Sequence, residues 1–457
     1  MKVLLAACLV IPLAATPSHA AARSCGGFPS DFDGDGRADL AVAAPYDNAR
    51  AGSVTVMYGD GRSDKLAQGS PGDSFGSALA VGDFDGDGCA DLAVGVSEEV
   101  AGKRQPGADG HGAVRIYHGS VGGLRPGSRL ALPGVHGDRF GAALAAGDFD
   151  GDHRDELAVG APGLARGGGV TIYWLKGRKP YTITQKTRWV GQHANVTDQW
   201  GATLATGDFD GDGFDELAVG APTDTVTLDG QGSVTLLDPH RRKARQLTQS
   251  TPGITGKSEK WDSFGAALTS GDFNGDGRAD LAVGVPGEGL SANQREMDYG
   301  DGTVDVLYGT RHGLSAARSE AWSQRTLKGV PRYYDRFGAA LAAADLNGDG
   351  FDELAAGVPG ERGVQVLAGA KSGGLTRAGN LLIKGKGRDF GASLGTLPAT
   401  GGRYRLLSTG PSVYGLVVAA PDNGMVSYLP LRRSPGLRVG KLRPLGTGLG
   451  LFGYALS

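Results

Sequence analysis

The sequence predicts an all-β protein, a seven-bladed β-propeller closed by pairing of its N- and C-terminal segments. Three observations predict it. First, an aromatic-Gly pair recurs at Phe75-Gly76, Phe140-Gly141, Trp200-Gly201, Phe264-Gly265, Phe337-Gly338, Phe390-Gly391 and Phe452-Gly453, at intervals of 53 to 73 residues. Second, each of the first five pairs opens the same cycle: a small apolar strand, an Asp-rich turn, a Leu-Ala-Val/Ala-Gly strand, a variable loop, then a strand such as Ala113–His118 or Thr303–Tyr308. A fourth, weaker segment completes a sheet of four short strands, and such a sheet must stack on its neighbours to bury both faces. Third, each terminus holds what the other lacks. The N-terminal part begins almost directly at an Asp-rich turn, and the C-terminus ends on the orphan strand Leu451-Phe-Gly-Tyr-Ala-Leu-Ser457. Joining them completes a seventh sheet and removes the exposed edges that an open stack would keep. The blades read as 452–457 with 31–58, then 75–117, 140–175, 200–237, 264–308, 337–367 and 390–428, one propeller over 25–457.

Residues 1–20 read as a secretory signal: Lys2, an apolar run Val3–Ala15, and Ser18-His19-Ala20 as a small-residue cleavage site. A lipoprotein reading of Leu5-Ala6-Ala7-Cys8 leaves almost no apolar region ahead of the cysteine, and the apolar run continues past it. No other stretch approaches the roughly 20 apolar residues of a membrane span, so a secreted, extracellular, monomeric protein is expected. Cys25 and Cys89 remain after cleavage, too few for a disulfide scaffold. They lie near the first and second Asp-rich turns, and spacing alone leaves open whether they pair.

The Asp-rich turn occurs six times. Counting from its first aspartate, side-chain donors fall at positions one, three, five and nine, a backbone carbonyl at seven, and glycine at six to allow the sharp turn. The six donor sets are Asp31, Asp33, Asp35, Arg37 C=O and Asp39; Asp83, Asp85, Asp87, Cys89 C=O and Asp91; Asp148, Asp150, Asp152, Arg154 C=O and Glu156; Asp208, Asp210, Asp212, Phe214 C=O and Glu216; Asp272, Asn274, Asp276, Arg278 C=O and Asp280; and Asp345, Asn347, Asp349, Phe351 C=O and Glu353. Carboxylates this close repel one another unless a cation sits among them. An all-oxygen set suits a hard ion, and this spacing suits Ca²⁺ better than Mg²⁺, so up to six Ca²⁺ ions are expected. An EF-hand would need a glutamate at position twelve, where the chain has Val42, Val94, Val159, Val219, Val283 and Ala356. His153 replaces the glycine of the third turn, which predicts the weakest site. The seventh unit has only Gly395–Tyr404 in that place and is expected to hold no metal.

The cycle Phe-Gly…Gly-Asp-Phe-Asp/Asn-Gly-Asp-Gly…Leu-Ala-Val-Gly-Ala-Pro resembles the FG-GAP repeat of integrin α-subunit head propellers and of bacterial secreted relatives. The resemblance covers nearly all of 25–457 and is closest in 200–222 and 264–286. It implies a seven-bladed propeller with Ca²⁺ loops between the first two strands of its blades, and a binding or adhesion role. The sequence shows no leg domains, membrane helix, cytoplasmic tail or Asp-x-Ser-x-Ser motif, and its six metal loops exceed the usual number in integrin heads. A cell-adhesion receptor is therefore not carried over whole.

Formal charge is −3, or −4 without Lys2, and the ligand positions hold 22 of the 49 acidic residues. Six divalent cations would add 12 charges and turn the mature chain to +8. The remaining surface is basic, as in His240-Arg241-Arg242-Lys243 and the Arg432–Arg443 tail, which favours an anionic partner; nucleic acid is not expected. Two motifs mimic catalysis. Gly72-Asp73-Ser74-Phe75-Gly76 matches a nucleophile elbow, but the equivalents of Ser74 are Arg139, Gln199, Ser263 and Arg336. Gly253–Ser258 hints at a phosphate loop, but Thr251 stands where its first glycine belongs. The seven mature histidines (111, 118, 136, 153, 193, 240 and 312) share no blade position.

The loops between second and third strands are long at Ser97–Gly112, Thr223–Gly232 and Gly287–Gly302. They should share a rim with Arg332, Tyr333, Tyr334 and Asp335, opposite the metal loops, and carry mixed charge (Glu98, Glu99, Lys103, Arg104, Arg295, Glu296, Asp298) and Tyr299. The rim predicts binding of an extracellular protein or polysaccharide. The alternative is an extracellular hydrolase or lyase built on the same rim; a structural envelope component is a third possibility.

Overall fold

Short apolar strands separated by glycine-rich turns form seven antiparallel sheets; among the described residues only a turn at Asp47–Arg50, with Asn48, Ala49 and Arg50 at positive φ, and a short helical turn at Pro359–Glu361 interrupt them. The computed structural model describes residue 25 and residues 30–66, 69–100, 110–132, 137–164, 167–175, 177–290, 300–371, 373–387, 389–397, 414–420, 425–432, 438–447 and 455–456. The signal segment, Phe452-Gly453, most of the seventh unit's turn and the 291–299 part of the rim lie outside the described residues.

Blade 1 consists of Ala455–Leu456, Leu40–Ala44, Ser53–Met57 and Ser63–Lys65, from the centre outward. Blade 2 is Phe75–Gly82, Asp91–Val96, Ala113–His118 and Arg125–Leu130; blade 3 is Ala143–Gly147, Glu156–Ala161, Gly169–Tyr173 and Tyr181–Ile183. Blade 4 is Thr203–Gly207, Glu216–Ala221, Ser233–Asp238 and Lys243–Leu247; blade 5 is Ala267–Gly271, Asp280–Val285, Thr303–Tyr308 and Ser315–Trp322. Blade 6 is Leu341–Ala344, Glu353–Val358, Gly363–Ala368 and Thr376–Lys384. Blade 7 is Ser393–Leu397, Tyr414–Ala420 and Met425–Arg432, with Arg438–Val439 and Arg443–Thr447 both paired to the third strand.

The termini close the ring as predicted. Ala455 pairs with Ala43 and Leu456 with Val42, and the innermost strands touch one another in a complete cycle from blade 2 round to blade 1.

The second strands, such as Asp91–Val96 and Glu216–Ala221, are buried along their whole length, because each is covered by a blade on either side. That explains a continuous Leu-Ala-Val-Gly run where a one-sided sheet would alternate. The aromatics of blades 2 to 7 each fill the seam with the blade before. Phe140 packs with Val114 and Ile116 of blade 2 and Leu157 and Val159 of blade 3, and Phe75, Trp200, Phe264, Phe337 and Phe390 repeat the arrangement. Truncating one of these rings to alanine should cost about 3–5 kcal/mol. The seam is latched by a parallel bridge, such as Gly52 to Phe75 or Gly112 to Phe140. Gly52 has φ +81°, and a Cβ there would collide with the Phe75 carbonyl oxygen, so glycine is required by both conformation and space.

Strand direction creates two rims. Turns between first and second strands, and between third and fourth, emerge on one side. Loops between second and third strands, and links from fourth strand to the next blade, emerge on the other.

Candidate metal centres and the opposite rim

In each acidic turn the position-one aspartate organises the backbone. Asp83 Oδ1 accepts from the N–H groups of Gly86 (2.7 Å) and Asp87 (3.1 Å), and Oδ2 from Gly88 (3.0 Å). Asp148, Asp208, Asp272 and Asp345 do the same in their turns, and Asp31 accepts from Asp35 and Gly36. Position five accepts the N–H of position seven, as Asp87 does from Cys89 (2.8 Å). Position nine reaches back to the N–H of position two: Asp39 to Phe32 (2.7 Å), Asp91 to Phe84 (3.0 Å), Glu156 to Phe149 (2.9 Å), Glu216 to Phe209 (2.9 Å), Asp280 to Phe273 (3.0 Å) and Glu353 to Leu346 (2.9 Å). A chain of nine residues is thereby curled so that its acids face one point. Oxygens of Asp31, Asp33 and Asp39, of Asp83, Asp85 and Asp87, and of Asp148, Asp150 and Glu156 lie within 4.8 Å of one another.

Position three tests whether a cation fits. Asp150 Oδ1, Asp210 Oδ1 and Asn347 Oδ1 are buried without a hydrogen-bond partner among the described residues, although buried oxygens normally have one. The same repeat position is left unsatisfied in three turns, and the donors are oxygen throughout. That set fits Ca²⁺. The electrostatics agree: burial, reinforced by neighbouring carboxylates, pushes Asp39, Glu156 and Glu216 up to about 8, Asp280 to about 7 and Glu353 to about 9. At neutral pH these acids need a proton or a cation.

His153 takes φ +65°, in the left-handed region that glycine occupies in the other turns (Gly88 +84°, Gly213 +88°), and its N–H still reaches Asp148 Oδ2 at 2.9 Å. The turn keeps its form, and the histidine side chain stands in solvent.

Two features escaped the sequence reading. In blades 1, 3 and 4 the turn between third and fourth strands sends an arginine onto the acids, and in blade 2 the end of the third strand brings a histidine to them. Arg62 pairs with Asp33, Arg178 with Asp150 (2.7 Å), and Arg241 with Asp210 (3.1 Å) and Asp212, while His118 Nδ1 lies 3.2 Å from Asp91 and 3.4 Å from Asp85. These turns share no common sequence, so nothing aligned the cations with the loops. The second feature had a signal. Where position nine is Glu, position eight is Asp; where nine is Asp, eight is Ala. The extra acid is a clamp between blades: Asp155, Asp215 and Asp352 accept the position-one N–H of the preceding turn, at Asp83 (2.8 Å), Asp148 (3.0 Å) and Asp272 (2.8 Å). Their own N–H groups donate to the carbonyls of the same three residues.

Cys25 and Cys89 form a disulfide. Cys25 also lies against Gly34, so the bond stitches the first acidic turn to the second.

On the opposite rim, Ser74 has φ +57° and directly precedes the strand Phe75–Gly82; its equivalents Arg139, Gln199, Ser263 and Arg336 share the positive φ. No helix follows it, so the elbow motif is a repeat feature. Ser74 does line a cavity of about 250 Å³ with Arg50, Glu98 and Arg139, but no histidine is among the lining residues.

A ring of seven blades, six of four strands and one of five, with oxygen-lined turns leading into the second strand of six blades, defines a repeat propeller. The chain belongs to the FG-GAP repeat family: FG-GAP repeats match residues 75–117, 140–173, 200–237, 264–307 and 337–380, and an FG-GAP-like repeat matches 31–94. It is 35% identical to integrin alpha-PS2 of Drosophila melanogaster over 235 residues, covering 49% of this chain and 15% of the relative. Against human integrin alpha-IIb it is 34% identical over 207 residues, covering 43% and 18%. Against human phosphatidylinositol-glycan-specific phospholipase D it is 28% identical over 384 residues, covering 72% and 42%. The chain thus spans less than half the length of each of these relatives. Among solved structures, a periplasmic gluconolactonase of Pseudomonas aeruginosa superposes with TM-score 0.50 at 16% identity, covering 90% of this chain and 97% of the other, a likeness of fold alone.

No helix among the described residues is long and apolar enough to cross a membrane.

Proposed function

We propose that this is a secreted, Ca²⁺-stabilised propeller that binds an extracellular protein or polysaccharide through the rim opposite its acidic turns. One observation carries the binding part. Of the eight exposed large apolar side chains among the described residues, six (Val196, Val226, Trp261, Val330, Tyr333 and Tyr334) stand on the loops and links of that rim. Clustered exposed apolar groups on a rigid frame mark interaction surfaces. Trp261 and Tyr334 occupy the same repeat position, three residues before the aromatic-Gly pair, with φ +65° and +73°. Blades 2 and 3 place Gly72 and Gly137 there, with φ +90° and +91°. A bulky side chain in this conformation is strained, and the fold itself accepts glycine.

That equivalence supplies the test. Trp261→Gly and Tyr334→Gly relieve strain and should leave the melting temperature unchanged or higher, while lowering binding on a glycan and matrix-protein array. Undiminished binding by the double variant would refute a rim interface. The unpartnered position-three oxygens support structural Ca²⁺, and EGTA should lower the melting temperature; an unchanged value would overturn this part. The signal-like N-terminus and the disulfide support secretion.

A hydrolase or lyase on the same rim ranks second. The Ser74 cavity favours it, but its lining holds no histidine to pair with Ser74 in the usual nucleophile–base arrangement.

A further inference from the structure

A cleft of about 420 Å³ opens between blades 3 and 4 on the side of the acidic turns. Its floor is the buried Phe149, Ile172 and Ile183. Its walls are aromatic: Trp174, Tyr181 and Trp189. Trp189 Nε1 donates to the Tyr181 hydroxyl at 3.2 Å, which fixes these two rings relative to each other before any ligand arrives. Its lip is cationic, with Arg178 and Lys179 from blade 3 and His240 and Arg242 from blade 4. The basic run His240–Lys243 that stands out in the sequence therefore lands beside two of the five tryptophans.

The polar groups of the cleft divide into committed and available ones. Arg178 is held by Asp150 at 2.7 Å, and His240 stacks on Phe214 with ring centres 4.0 Å apart. Lys179 and Arg242 have no acidic partner among the described residues. The indole Nε1 of Trp174 is buried with no hydrogen-bond partner among them, although buried indole N–H groups usually have an acceptor.

We infer that this cleft binds an anionic saccharide, a sugar unit carrying a carboxylate or sulfate. The flat apolar face of a pyranose stacks on an exposed aromatic ring, the anion answers Lys179 and Arg242, and a ring or hydroxyl oxygen answers the Trp174 N–H. The volume lies in the range of small-ligand pockets, which pair apolar walls with a few placed polar groups. An apolar peptide would leave the cations uncompensated. The site is separate from the opposite rim and does not depend on its reading.

The test uses the full mature chain in excess Ca²⁺, with hexagalacturonate and a heparin-derived hexasaccharide as the carboxylate and sulfate probes and maltohexaose as the neutral control. Tryptophan fluorescence and calorimetry should show saturable binding of at least one anionic probe and none of the neutral one. Trp189→Ala and the double variant Lys179→Ala/Arg242→Ala should each weaken it by about tenfold or more. Trp189 also packs on the core, so the double variant, confined to the lip, keeps the test decisive if Trp189→Ala does not fold. Trp261→Gly/Tyr334→Gly should leave this binding unchanged. Equal binding of maltohexaose, no binding of either anionic probe, full binding by the double lip variant, or loss through the rim variant would each overturn the assignment.

Discussion

Replacing Asp305 by asparagine should stabilise the ring, and by more as pH rises. Asp305 sits mid-strand in blade 5, wholly buried, and the neutral side chain of Gln249 is what offsets its charge against burial. The matching positions of other blades hold Thr55, Thr171, Thr235, Gln365 and Ser427, all neutral, and Arg115. Burial, then the nearby charge of Glu288, pushes the Asp305 carboxyl well above its ordinary 3.8. The folded state therefore keeps a proton that the unfolded state gives up. For an acid with a raised folded pKa, stability is lost as pH climbs above the unfolded value, at about 1.4 kcal/mol per pH unit while the buried carboxyl stays protonated. Asparagine has no such slope, so any packing difference between the two side chains is a constant offset. With an unfolding entropy of about 2.1 cal/mol/K per residue, each unit corresponds to roughly 1.5 °C in a chain of this size. Calorimetric melts of both proteins at about pH 5, 6 and 7 in constant Ca²⁺ should show curves that diverge by that amount. Parallel curves would mean that Asp305 is ionised and compensated in the folded protein, and the reasoning would fail.

Three further outcomes follow from the geometry. In a calorimetric Ca²⁺ titration the weakest step should belong to the third turn and disappear in His153→Gly, because a Cβ in the left-handed conformation costs about 1–2 kcal/mol; if the variant leaves that step in place, the assignment is wrong. Deleting residues 455–457 strips the inner partner from Leu40–Ala44, so light scattering should detect self-association and the melting temperature should fall; a monomer of unchanged stability would contradict closure by these residues. The bond joining Cys25 and Cys89 spans 64 residues, and chain entropy sets its contribution at no more than about 4 kcal/mol. Cys25→Ser/Cys89→Ser should lose stability within that bound in denaturant titrations, and no loss would assign the bond a purely covalent role.

The closed ring was legible because a complete cycle repeats five times in one chain, and because an orphan strand at 451–457 matches a missing one before Asp31. The acidic turns were legible for a similar reason: their donors are local, and alternation within nine residues is enough to aim them. What depends on residues brought together from separate strands or separate blades left weaker traces. Arg62, Arg178 and Arg241 meet Asp33, Asp150 and Asp210 only because third and fourth strands bring them alongside, and their turns differ in length and composition. The clamp from Asp155, Asp215 and Asp352 did leave a trace, the Asp-Glu pair against Ala-Asp, whose meaning needs the neighbouring blade to be in view. Trp174 and Trp189 gave no periodic signal, since their cleft is completed by Arg242 from the next blade. Pairing of Cys25 with Cys89 needed a distance, and spacing does not carry one.

The stitch from Cys25 to Cys89 also bears on how the molecule is made. A chain emerges from the ribosome N-terminus first, so Leu40–Ala44 is synthesised long before Ala455–Leu456 exists to cover it. Through the making of six further blades, the first one stands with an open, wholly apolar edge, the kind of template on which misassembly begins. Both cysteines have already been made by then. A bond formed at that stage fastens the first acidic turn to the second and keeps the unfinished seam in place until its last strand arrives. Its largest effect then falls on the yield of closed rings during biogenesis.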